Sequence, residues 1–460
     1  MTEAHETGDV AELVCSNSLK SDEPGNAHGL LKAELRVLGS ALLECAERAR
    51  VPGGKALVVD RKRFSAEVQS ELLRAGVRVE RAEVNSLPPV AAWYRARPAL
   101  SDPHQPTVTS EPWFEPLGPV TVIATGPLTS SPMADALQEL LGTERLFFYD
   151  AIAPIVAAEL LDMSRVFEGS RYGAGSDYLN CPMTEEEYGQ FVDALLGAEL
   201  HPIHDFENPP VEDEISGDSP RRDSPRISSS FFEGCLPVEE IARRGRLALA
   251  FGPMKPVGLV DPRTGRRSFA VVQLRRENAE GTMFNLVGFQ TRLKQGEQER
   301  VFRMIPGLER AVFLRLGSIH RNTFLDSPKV LLPTLQTRAS SDLLVAGQLA
   351  GVEGYVESIG AGLVAGINAA RLVRGDELLG IPSVTMLGSL LRYISGGSDP
   401  VLGIVPMRGQ SPRFQPMNAN FGLLPSLEKR LRGRDSRRAM AERAVEAAHE
   451  FALTLVENRA

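Results

Sequence analysis

Four cysteines, Cys15, Cys45, Cys181 and Cys235, are the side chains of this 460-residue chain best suited to nucleophilic chemistry. A thiolate attacks an electron-poor carbon far more readily than a hydroxyl does, and its reactivity follows its pKa. Cys235 lies in SFFEGCLPVEEIA, bracketed by Gly234 and Pro237 just ahead of an expected helix, whose N-terminal dipole would favour the thiolate. Cys181, in LNCPMTEEEY, has a similar neighbourhood, and Cys15 sits in AELVCSNSLKSD among Ser, Asn and Asp. Cys45 falls on the apolar pattern of a helix and reads as a core thiol. No CxxC spacing occurs, which argues against a disulfide framework and a zinc site and for reduced thiols. His201 and His204 form an HxxH pair, but Pro202 denies them a common helical face and no third ligand stands near, so no metal is expected.

The strongest local pattern is LLVAGQLAGVEGYVESIGAGLVAGINAA at 343–370. An apolar strand runs into a turn holding Gly347, Gly351 and Gly354, and a long helix rich in small residues follows. Glycines let backbone N–H groups approach a phosphate, and the helix N-terminus favours its charge. FAD enzymes place such a late segment against the pyrophosphate and ribitol. The small residues Gly360, Gly362, Ala365 and Gly366 are expected to pack this helix closely on the sheet. No GxGxxG string occurs in residues 1–60, and neither Gly173–Gly175 nor Gly360–Gly362 follows a strand and opens a helix.

Periodicity supplies the elements that must hold these residues. Leucines at 31, 35, 38 and 42 predict an amphipathic helix over 28–50. Residues 55–76 read as strand, turn and helix, 76–84 alternate like a strand, and 119–127 read as a buried strand. A helix with Gly142 as its stop follows, and another is expected over 184–197. Residues 205–229 are polar, with four prolines, and read as a flexible loop. SFAVVQL reads as a strand beyond an Arg-rich helix. Strand–helix alternation fades after 180 and returns near 342. The fold expected is therefore α/β, a discontinuous Rossmann-like domain at 1–180 and 320–460 with an inserted α+β domain at 181–319.

The composition, 43% hydrophobic and 24% charged, is ordinary for a globular chain of two or three domains. No secretory signal pattern opens the chain, and no apolar run reads as long enough to span a bilayer, so a cytoplasmic protein is expected. The net charge of −8 argues mildly against nucleic acid. Local fields differ from net charge, and arginines gather at 243–246, 263–267 and 275–276 and with lysine at 429–438.

Six strings taken in order, AELVCSNSLKSD, ATGPLTS, FEGCLP, HRNTFLDSPKVL, AGQLAGVEGYVES and PMNANFGLLPSL, resemble the folate- and FAD-dependent tRNA uracil-5-methyltransferase family. The resemblance covers about residues 5–427. It implies methylation at C5 of the uridine at tRNA position 54, with methylenetetrahydrofolate giving the carbon, reduced FAD the electrons, and NAD(P)H replenishing the flavin. It implies that Cys235 attacks C6 of the uracil and that Cys15 is the second catalytic thiol, acting near the flavin or as proton acceptor. Gly347, Gln348, Gly351, Glu353, Gly354 and Tyr355 are implied to line the FAD, with Thr125 and Gly126 ending a strand that returns to it. The 1–180 and 320–460 segments become the two parts of an FAD-binding domain, and the basic clusters become candidates for tRNA phosphates. The resemblance also implies a strand and a glycine-rich loop ahead of CSNS. With Cys15 so near the first residue, the chain is expected to lack both, as though begun too far downstream, which leaves its activity open. Two alternatives remain: the related flavoprotein of tRNA wobble-uridine modification, and a non-catalytic tRNA-binding remnant without FAD. Oligomeric state is not read from the sequence.

Overall fold

The computed structural model describes residues 5, 7–87, 119–142, 145–171, 175–202, 231, 235–396, 414–428 and 431–457. The 205–229 stretch, the FEG of FEGC and Gly173 lie outside the described residues. The chain forms two compact units, one of Met1–Ser18, Ala49–Gln69 and Phe148–Arg321, the other of Leu19–Arg48, Ser70–Phe147 and Asn322–Ala460.

The first unit is built on a six-stranded sheet. Its strands, in spatial order, are Phe313–Arg315, Ile155–Ala157, Met283–Leu286, Ala270–Arg276, Tyr178–Met183 and Phe167–Glu168. Its neighbouring strands pair antiparallel, and Ala270–Arg276 runs in register from Met183↔Ala270 to Tyr178↔Arg275. The sequence reads SFAVVQL as a strand, and the structure shows why it is apolar on both faces. Ala270, Val272 and Leu274 enter the main core with Phe191, Phe289 and Phe302, while Val271 packs on the opposite side with Phe167 and Leu259. Further along that opposite side stand Gln273, donating to Asn180 Oδ1 at 3.0 Å, and Arg275. The two-residue period of the strand thus brings a guanidinium to a fixed place at its end. The Glu185–Leu196 helix closes the core face, capped by Thr184 and Glu187 in a reciprocal capping box.

The second unit holds a parallel pair, Thr121–Ile123 beside Leu343–Val345, with Ile123 opposite Val345. The helices Ala27–Val37, Ala41–Arg48, Tyr355–Arg374 and Met386–Ile394 belong to the same unit. The helix expected over 28–50 is two. Gly39, at φ +69°, takes the left-handed turn that ends the first, and Ser40 accepts from the Leu43 N–H to start the second. Leu42 is consequently exposed. The strand expected over 76–84 is absent: Val77, Val79 and Val84 are exposed, and alternation without a partner strand leaves nothing to pair with. The 119–127 strand is confined to three residues, and Val122 is exposed. Gly142 does stop its helix, at φ +63°.

The Tyr355–Arg374 helix corrects the membrane reading. It is long and apolar enough to cross a bilayer by length and composition, and 56% of its most apolar window is buried inside the protein. Its small residues divide in role. Gly360 meets Leu387, where a Cβ would come within 2.8 Å of the leucine's Cδ1, whereas Gly362 and Gly366 are exposed. The glycine that matters for close packing thus faces neighbouring helices. Glu34 locks two of these helices together, accepting the Met386 and Leu387 N–H groups at 2.7 and 2.9 Å, although burial pushes its carboxyl up to about 8.

Candidate functional site

In the first unit, the CSNS segment is clamped by two arginines. Asn17 is fully buried and donates to the Val59 and Arg276 carbonyls at 3.0 and 2.9 Å. Arg275 donates from Nε to Asn17 Oδ1 and from its terminal nitrogen to Ser16 Oγ, each at 2.9 Å. Arg61 reaches the Cys15 carbonyl at 3.3 Å and the Leu13 carbonyl, and is itself held by Glu277 at 2.6 Å. Cys15 is half-buried between them. Burial lowers the Arg275 guanidinium from its ordinary value, while attraction to Glu277, Tyr178 and Cys15 counters that loss. Arg275 is therefore part of the thiol's frame. It is 7% exposed and unavailable to RNA, which removes it from the set of phosphate contacts.

Cys235 belongs to the same unit and is also half-buried. The helix after it is short, Val238–Arg243, and begins beyond Leu236 and Pro237. Its anchorage lies downstream. Glu239 accepts from Thr291 Oγ1 and the Arg292 N–H at 2.9 and 2.8 Å, and Glu240 pairs with the buried Arg292 at 2.6 Å. On the other side, Phe231 forms a parallel bridge with Tyr149. Cys181 does not sit at a helix start. It is fully buried in the Tyr178–Met183 strand, and burial pushes its thiol far up, so it is a structural thiol. Cys45 is fully buried as expected.

In the second unit, the two parallel strands both end in glycine. Leu343–Val345 leads through Ala346 to Gly347 at φ +70°, and Thr121–Ile123 leads to Gly126 at φ +71°. A Cβ on Gly126 would meet nothing within 4 Å, and one on Gly347 would meet only Ser358 at 3.9 Å. The open edge beyond the carboxyl ends of parallel strands is where α/β sheets take their ligands. Gly351 differs: a Cβ there would come within 2.5 Å of the Phe414 ring, so its glycine serves close packing. Gln348 donates to Glu353 at 2.6 Å across the turn. Tyr355 is half-buried at the first position of the helix, and Thr125 is exposed, with its hydroxyl 2.6 Å from that of Thr129.

The turn is docked against PMNAN. Val352 and Met417 form a parallel bridge, Glu353 N–H donates to the Met417 carbonyl at 2.8 Å, and Met417 N–H donates to the Gly351 carbonyl at 3.1 Å. Glu357, fully buried in the first turn of the helix, accepts the Ala419 N–H at 2.9 Å and stands 3.4 Å from His28 Nε2. Burial, with Lys20 and Lys32 nearby, lowers His28 to about 3. Glu357 Oε2 and His28 Nε2 have no hydrogen-bond partner among the described residues. A cradle of open glycines beside orphaned polar atoms fits a polyhydroxylated, phosphate-bearing group such as FAD.

Of the basic clusters, Arg266 and Arg267 are exposed and carry no ion pair among the described residues. They line an open groove of about 410 Å³ with Arg165, Arg263, Thr184 and Ser268. Arg263 is committed to Asp261 at 2.7 Å and Arg246 to Asp193 at 2.7 Å. His201 is exposed, and His204 lies outside the described residues, as do Lys429 and Arg430.

The family described as Glucose inhibited division protein A matches residues 1–377. The methylenetetrahydrofolate–tRNA-(uracil-5-)-methyltransferase TrmFO of Moorella thermoacetica is 51% identical over 449 residues, 97% of this chain and 89% of that protein. The protein of the same name from Geobacter sulfurreducens is 49% identical over 446 residues, 96% and 88% of the two chains. Among solved structures, Aquifex aeolicus GidA in its form I crystal has a TM-score of 0.60 at 15% identity, covering 96% of this chain and 70% of that one, a likeness of fold.

Proposed function

The chain belongs to the methylenetetrahydrofolate–tRNA-(uracil-5-)-methyltransferase family, within the Glucose inhibited division protein A group, and from that premise we propose that it methylates C5 of uridine 54 in the tRNA T-loop. Methylenetetrahydrofolate is the carbon donor, and NAD(P)H supplies reducing equivalents. The observation that carries this reading is identity of 51% across 97% of the chain. Gly347, Gln348, Gly351, Glu353, Gly354, Tyr355, Thr125 and Gly126 are assigned to FAD. Bound there, reduced FAD supplies the electrons that complete the methyl group.

The remaining chemistry falls to the protein. C5 of uracil is a poor nucleophile until a thiolate adds to C6 and pushes electron density onto C5. Cys235 is assigned that attack. Cys15, whose carbonyl accepts from Arg61 and whose neighbours Ser16 and Asn17 are held by Arg275, is assigned as the second thiol. Purified protein given methylenetetrahydrofolate, FAD, NADPH and unmodified tRNA should yield 5-methyluridine at position 54 alone, read by nucleoside mass spectrometry. Modification at the wobble uridine instead, or none, would overturn the reading.

Arg266 and Arg267 are assigned to tRNA phosphates. Arg263 is locked across to the Arg165 carbonyl at 3.0 Å, which holds the loop bearing the two free guanidiniums in place. Each phosphate neutralised contributes about 0.7–0.9 to the slope of log affinity against log salt. Arg266→Ala/Arg267→Ala should weaken tRNA binding at low salt and flatten that slope by roughly 1.4–1.8. An unchanged slope would place tRNA elsewhere.

A further inference from the structure

One buried carboxylate beside Cys235 has no part in the assignments above. Asp150 is 4% exposed, at the end of the Arg145–Ala151 strand. Its neighbour Tyr149 is bridged to Phe231, with the two rings 5.9 Å apart. The Asp150 carboxylate lies within 4.8 Å of Cys235 Sγ. One carboxylate oxygen accepts the Ala151 N–H at 2.8 Å. No described donor takes the other.

We propose that Asp150 is the base that removes the C5 proton of the uracil, a step that rests on the methyltransferase reading above. With Cys235 Sγ bonded to C6, the C5 hydrogen sits on the carbon next to the thioether carbon, within reach of a carboxylate set beside the sulfur. Asp150 accepts that proton. The electron pair of the C5–H bond re-forms the C5=C6 double bond, and the C6–S bond breaks with its pair passing to sulfur. The products are the 5-substituted uracil, the Asp150 acid and the Cys235 thiolate. The pair carries one negative charge before the step and one after it. Bonded to carbon, the sulfur carries no charge of its own beside the carboxylate. The same proximity lets the proton return from Asp150 to the thiolate, directly or through water, once product leaves. Cys15 is then not needed as the proton acceptor.

The test uses full-length protein with FAD, methylenetetrahydrofolate and NADPH, and compares wild type, Asp150→Asn and Cys15→Ala. Asp150→Asn should lose turnover by about 10²–10⁴-fold, the usual worth of a positioned base. It should still form the C6 adduct with tRNA carrying 5-fluorouridine, because that adduct requires the thiol alone. On ordinary tRNA it should accumulate a covalent protein–tRNA complex that wild type does not hold. Added formate should restore part of the turnover to Asp150→Ala. Turnover of Asp150→Asn within a few-fold of wild type overturns the proposal. So does loss of adduct and turnover together in a folded variant, or a trapped complex in Cys15→Ala but not in Asp150→Asn. Should Asp150→Asn not fold, Asp150→Glu decides: turnover with a shifted pH profile supports the base, and an unshifted profile overturns it. A wild type that methylates while these variants behave otherwise removes only Asp150; a wild type that never methylates uridine 54 removes the functional reading as well.

Discussion

Cys235→Ala should abolish methylation, with a loss of at least about 10⁴-fold, in the range seen when an enzyme loses its nucleophile. Without addition at C6, C5 of uracil stays unreactive toward the carbon donor however well that donor is held. The same variant should form no covalent complex with tRNA containing 5-fluorouridine. Stability should change little, because the thiol is half-buried and its segment is anchored through Glu239 and Glu240. Denaturing gel electrophoresis of the protein–tRNA mixture reads the adduct, and a thermal melt reads the fold. An adduct persisting in Cys235→Ala would transfer the nucleophile's role to another residue. Cys181 is a poor heir, since it is fully buried in a central strand with its thiol pushed up by that burial.

The glycine turn, the core place of Cys45 and the general α/β architecture were legible in the sequence because each depends on short-range chemistry. Gly347 and Gly351 announce left-handed backbone, and Thr184 with Glu187 announces a helix start, within a few residues of each other. What frames the thiols depends on pairs far apart in the chain. Asn17 meets Arg275, Arg61 meets Glu277, and Glu357 meets Ala419, with no local pattern to join them. An Arg275–Arg276 doublet looks the same in sequence whether it faces RNA or a buried asparagine. Strand alternation sends Arg275 inward, and only the register with Tyr178 reveals it. The opposite failure occurs at 76–84, where alternation is present and a partner strand is not. The expected 28–50 helix failed for a local reason: its leucine spacing carries across Gly39 while the backbone there turns left-handed.

Gly354→Ala should be among the most damaging single-methyl additions in the second unit, and Gly347→Ala should separate folding from ligand binding. Gly354 sits at φ +116° and ψ 157°, a conformation nearly reserved for glycine, at about 1–3 kcal/mol for any other residue. A Cβ there would fall on Glu357 Oε2. Glu357 is fully buried and its other oxygen holds the Ala419 N–H at 2.9 Å, so it cannot step aside without releasing PMNAN from the turn. Losing that charge-assisted bond adds about 1.5–3 kcal/mol, for a total of roughly 3–6 kcal/mol. That is a large share of the 5–15 kcal/mol typical of a folded chain, and urea unfolding of apoprotein should show it. Gly347 carries only the left-handed penalty of about 1–2 kcal/mol, because its Cβ would touch nothing closer than Ser358 at 3.9 Å. Gly347→Ala should therefore fold with a modest drop in urea midpoint yet purify with little flavin absorbance, its methyl occupying the space a phosphate needs. If Gly347→Ala keeps its flavin while Gly354→Ala loses both flavin and stability, the turn serves the fold, and the pyrophosphate must be sought at another backbone.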